Sequence, residues 1–148
     1  MKNTRLLLLV FFASCFGRAT GQIPEEKVIR DFMTYVSSPS LDIDTIDLKY
    51  VVPYPVDTPV GTKYKRQELL RIMAFGLKNH IKTAELKTLK IVPYKKAPEE
   101  LQDLILDEDL TERAFVAFDG KKFARYFLIK DSQIQAFDRL GFAFLVMD

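Results

Sequence analysis

The chain is poor in the residues that most often carry chemistry. Its 148 residues include a single cysteine, Cys15, and a single histidine, His80. A zinc cluster built on Cys and His therefore has no ligand set, and no metal or other cofactor is expected. One cysteine cannot close a disulfide within the chain, which sets it apart from many small exported eukaryotic domains. Neither asparagine opens an Asn-x-Ser/Thr acceptor: Asn3 lies at the start, and Asn79 precedes His80 and Ile81. No Gly-rich phosphate loop and no Gly-x-Ser-x-Gly elbow occurs. A Cys–His pair would need Cys15, and a Ser–His pair would need His80. Carboxylates are plentiful, but no spacing singles out a catalytic pair. These absences weigh against an enzyme, and no catalytic residue is assigned.

Long apolar runs are missing too, except at the beginning, "MKNTRLLLLVFFASCFGRATGQ". Lys2 and Arg5 precede an unbroken apolar run from Leu6 to Ala13. The run is shorter than the about 20 residues a spanning helix needs, and small and polar residues follow it. That is the layout of a secretory signal peptide, so residues 1–21 are read as a leader and residues 22–148 as one domain. Ala19 and Gly21 stand at the −3 and −1 positions for cleavage before Gln22. A second route cuts before Cys15, where Phe12-Ala13-Ser14-Cys15 is similar to a lipobox and Cys15 would carry lipid. The expected location is therefore periplasmic or extracellular, with lipid anchoring to the envelope membrane as the alternative. A bacterial envelope is the expected setting.

The precursor has 22 basic and 20 acidic side chains. Lys2, Arg5 and Arg18 leave with the leader, so the mature chain is close to neutral. That removes the whole-chain argument for nucleic-acid binding. The charges are segregated. Between Lys63 and Lys96 basic residues far outnumber Glu68 and Glu85, whereas between Glu99 and Asp119 acidic residues face a single Arg113. Such tracts neutralise one another across neighbouring elements, or offer a basic face to anionic lipid or polysaccharide.

Periodicity predicts a helix over "IPEEKVIRDFMTYVSS", opened by Pro24 and stabilised at its positive end by Glu25 and Glu26. Val28, Phe32 and Tyr35 or Val36 would face inward. "IDLKYVV" alternates and predicts a strand over Ile46–Val52, with Asp42, Asp44 and Asp47 in a solvated turn before it. A Pro-rich loop from Pro53 to Thr62 leads into the longest helix, "KYKRQELLRIMAFGLKNHIK", with Leu69, Ile72, Met73, Gly76 and His80 on its inward stripe. "LKTLKIV" predicts a second strand, and "APEELQDLIL" a short helix. "RAFVAFD", "KKFARYFLIK", "SQIQAFD" and "FAFLVM" predict an antiparallel meander, with "AFVAF" central because it is apolar on both faces.

The expected fold is α+β: a single domain with a curved, largely antiparallel or mixed sheet of 5–6 strands, covered on one face by 2–3 helices. Helix-and-sheet cones of the NTF2-like and cystatin-like kind are a fold-level analogy and imply no activity. "VVPY" at Val51–Tyr54 echoes "IVPY" at Ile91–Tyr94. Were the echo structural, the two strands would flank the long helix as a βαβ unit, with both Pro-Tyr corners at one sheet edge. Tyr54, Tyr94, Arg125 and His80 are then the candidate ligand-binding residues. Arg125 would supply a fixed positive charge on a face otherwise made of Phe123, Phe127 and Ile129. The expectation is an exported, non-catalytic binding or accessory module for a small molecule or an envelope protein. It would not bind nucleic acid, and would meet a membrane through a lipidated Cys15. The alternatives are a small envelope hydrolase using carboxylates and His80, or an electrostatic adaptor working through Lys63–Lys96.

Overall fold

The first element in the computed structural model, which describes residues 23–53, 59–81, 83–120 and 123–137, is the expected helix α1 (Pro24–Ser37), with Pro24 in its first turn. Ile29, Phe32, Met33 and Val36 are its buried residues, the three-four spacing of one helix face.

The second element is a correction. The strand expected over Ile46–Val52 is a helix, α2 (Ile43–Lys49). The Asp42 carboxylate caps it, accepting from the Thr45 N–H at 2.9 Å and from the Thr45 hydroxyl at 2.7 Å. Ile43, Ile46 and Tyr50 are buried, a three-four period, whereas Leu48, inward under strict alternation, is 82% exposed. The aspartates have partners in the fold. Besides the Asp42 cap, Asp47 pairs with Arg66 at 3.1 Å, and Asp44 accepts from Gln67 at 3.4 Å.

Helix α3 (Val60–His80) is the long helix, but its inward stripe is Leu70, Met73, Ala74 and Leu77, continued by Ile81. The expected stripe was turned by about one residue, so Ile72 and His80 lie outside. Helix α4 (Thr83–Thr88) occupies the start of the expected second strand, and β1 (Lys90–Pro93) is the remainder, stopping at its proline. The helix expected over Ala97–Leu106 is reduced to a single 3-10 turn, Glu99–Leu101. The Tyr94 hydroxyl donates to the Leu104 carbonyl at 3.1 Å and accepts from the Leu104 N–H at 2.8 Å. Both backbone groups are thereby withdrawn from any helix. A short helix α5 (Glu108–Arg113) follows, capped by Asp107.

Strands β2 (Ala114–Asp119), β3 (Phe123–Lys130) and β4 (Gln133–Phe137) form the expected antiparallel meander. The sheet order is β1-β2-β3-β4, with β2 inside as its two apolar faces require. Asp131 and Ser132 turn β3 into β4 with φ of 51° and 61°, the primed-turn twist that suits a tight hairpin. Leu128 faces Ala136 and Ile129 faces Ile134, which leaves Gln135 as a bulge. Its side-chain oxygen accepts from Arg113 at 2.6 Å and ties α5 to the sheet.

The described residues contain four strands, antiparallel throughout; the sixth expected one, over Phe142–Met147, lies outside them. No βαβ unit forms around α3. Val51 makes an isolated bridge with Ile134 of β4, whereas Ile91 and Val92 belong to β1 at the opposite edge. The two Val/Ile-Val-Pro runs therefore lie along opposite edges. Helices α1–α3 cover one face of the sheet, and the other face has a cover of its own. Phe115, Ala117, Phe123, Phe127 and Phe137 pack with α1–α3. Val116, Tyr126, Leu128 and Ala136 pack beneath the segment from Tyr94 to Leu110. That second cover is where the arrangement departs from a cone with one covered face.

Candidate functional site

The sequence-derived site residues do not converge among the described residues. Tyr94 is buried under the second cover, its ring 6.2 Å from that of Tyr126 and its hydroxyl held by Leu104. Arg125 alternates with Phe123 and Phe127 and so belongs to the helix-covered face. Its guanidinium carbon stands 5.1 Å from the Phe123 ring centre, and Nη1 donates to the Ala124 carbonyl at 2.7 Å. His80 ends α3 and is exposed. Tyr94 and Arg125 thus lie on opposite faces of one sheet, and His80 lies in the helical layer. Tyr54 and Cys15 lie outside the described residues. Among the described residues no group of His, Cys, Asp and Glu is placed to hold a metal, and no helix is long and apolar enough to cross a membrane.

The basic tract is partly committed to internal contacts. Arg66 joins Asp47 and donates to the Val52 carbonyl at 2.6 Å, fixing the chain after α2 against α3. Lys78 donates to the Ser38 carbonyl at 2.7 Å. Lys95 pairs with Glu112 of the acidic tract, which raises the Lys95 pKa above its ordinary value. The two tracts therefore meet at this point.

What α3 leaves outward is unusual. Val60, Tyr64 and Ile72 are 66%, 68% and 64% exposed, and Phe75 is 46% exposed. Scattered exposed hydrophobics need no explanation, but these recur along one side of one helix, opposite Leu70, Ala74 and Leu77. At 100° per residue, Tyr64, Glu68, Arg71, Ile72 and Phe75 share a single outward sector. Glu68 and Arg71 are themselves exposed. The sequence carried the signal. The stretch from Val60 to Phe75 has apolar residues on two opposite faces of the helical wheel, and a search for one inward stripe merges them.

Comparison with known protein families, with curated proteins and with solved structures finds no match for this chain.

Proposed function

We propose that this chain is an exported, non-catalytic binding or accessory module of the bacterial envelope, and that it works by docking the outer face of α3 onto a partner. The single observation that supports docking is the row Val60, Tyr64, Ile72 and Phe75, large apolar groups that the fold leaves in water. The export half rests on Lys2, Arg5, the run Leu6–Ala13 and the small residues before Gln22. Lipid attachment at Cys15 is its alternative. A further strand over Phe142–Met147, the sixth expected, and a curved sheet belong to the same proposal. No observation favours a hydrolase built on His80, which stands exposed at the end of α3.

Cleavage before Gln22 leaves a chain without cysteine, so a new thiol reports on its own surroundings. In Ile72→Cys protein expressed in its native cell, a permeant maleimide should label the thiol several-fold more slowly in the intact envelope than in dilute purified protein. A Lys130→Cys control should label equally in both. The intact mass should begin at Gln22. Equal labelling of both thiols in both settings would overturn the docking reading, and an acylated Cys15 would replace the cleavage route.

A further inference from the structure

We infer that the partner of this face is a second copy of the same chain, its α3 packed antiparallel against the first about a two-fold axis between Glu68 and Arg71. The inference rests on reading α3 as a docking surface and adds the identity of the partner. In an antiparallel helix pair, residues at equal distance from the axis on the two copies face one another. Glu68 then meets the partner's Arg71, and Arg71 meets the partner's Glu68, giving two symmetric ion pairs at the centre. Tyr64 meets the partner's Phe75, and Phe75 the partner's Tyr64, at about 8 Å to either side along the axis. Val60 meets the partner's Asn79. Charge is self-complementary at the axis and Tyr64 against Phe75 is apolar against apolar, as an isologous two-fold interface requires, while Val60 and Ile72 face the partner's Asn79 and the partner's Gln67 at the rim.

Both central charges find opposite charges in this arrangement. A bilayer accounts for them less well, because Glu68 lies in the middle of the apolar row and would have to approach the acyl boundary. One helix pair is at the small end of specific interfaces, so a reversible dimer is expected.

The test is sedimentation equilibrium on the mature chain from Gln22, over a concentration series. The wild type should titrate between monomer and dimer with a dissociation constant on the order of micromolar. Glu68→Arg and Arg71→Glu should each weaken the dimer by roughly tenfold or more, because like charges then face each other at the axis. The double variant Glu68→Arg/Arg71→Glu should recover most of the loss, since the pairs re-form with signs exchanged. Tyr64→Ser/Phe75→Ser should remain monomeric with an unchanged circular dichroism spectrum. A wild type that stays monomeric at every concentration, or a double variant no better than the singles, would overturn the dimer. If the monomer instead co-sediments with phosphatidylglycerol vesicles and the serine pair abolishes this, a lipid surface replaces the second copy. Slow labelling of the Ile72→Cys thiol in the envelope alongside a strictly monomeric purified chain removes the dimer and leaves the docking reading standing. Fast labelling there alongside a monomeric chain removes both.

Discussion

At the level of single residues, Asp42 sets the start of α2 and titrates while doing so. The Thr45 hydroxyl and then the Thr45 N–H, both donating to the carboxylate, hold its pKa below the ordinary 3.8. The folded state therefore binds this proton less readily than the unfolded chain. The contribution is complete above the unfolded value and is lost as pH falls through the lowered folded value. Asp42→Ala should melt a few degrees below the wild type at about pH 6, and the gap should shrink as pH falls toward about 2. Paired melting curves across that range check it. A gap independent of pH would mean that the helix start draws nothing from the ionised form. Arg66 works at the same scale. Arginine in a basic stretch reads as solvated surface, yet its side chain is largely covered and binds both Asp47 and the Val52 carbonyl. Sequence gave no sign of this, because both partners come from the segment that α2 brings back against α3.

At the level of elements, α3 carries a glycine in its interior. A Cβ built on Gly76 meets nothing within 4 Å. Gly76→Ala should therefore stabilise the chain by about 0.5–1 kcal/mol, since alanine loses less backbone entropy in a helix and nothing obstructs it. A rise of roughly 2–4 °C in Tm is the readout, and a fall would show that the glycine's small size is used. Much of the element map was legible for physical reasons that can be named. Helix α1 has Pro24 and paired glutamates at its start, and the β2–β4 meander has strong β-formers with Gly120 and Asp131-Ser132 between strands. What failed were segments where two periods fit equally well. "IDTIDLKYVV" satisfies alternation from Ile46 and a three-four spacing from Ile43, and the Asp42 cap decides for the helix. "APEELQDLIL" has helical spacing, but Tyr94, ten residues from Leu104, takes the backbone bonds that a helix needs. The candidate site was the least legible part. The echoed Pro-Tyr runs imply convergence, whereas a meander ending beside Val51 separates their strands to opposite edges.

At the level of the whole molecule, the sheet has two apolar faces with unequal covers. The helical side is a continuous core with Phe32 edge-on to Phe127 and Phe137, at 6.3 and 5.0 Å between ring centres. The other side is closed by a strap from Tyr94 to Arg113 with little regular structure, seated by Leu101, Leu104, Leu106 and Leu110. Two phenols anchor it from below. Tyr94 holds Leu104, and the fully buried Tyr126 reaches the Leu101 carbonyl at 3.1 Å and the Asp103 carboxylate at 2.9 Å. A segment with few backbone bonds of its own and a small apolar footing opens at lower free energy than the core beneath it. Tyr94→Phe/Tyr126→Phe keeps both rings and removes only the hydroxyls, each bond being worth about 0.5–1.5 kcal/mol. A glutamate-specific protease should cleave the double variant at Glu99 and Glu100, already on the surface, roughly tenfold faster or more, since cleavage needs the segment to open and follows the open population. Amides of α1 and α3 should keep their hydrogen-exchange protection to within the smaller change in global stability. An equal loss of protection in the strap and in those helices would show that both covers unfold as one unit. Cleavage confined to the strap would mean that the outer face of α3 stays in place while the opposite side of the sheet opens, so that a partner docked on α3 is insulated from motion there.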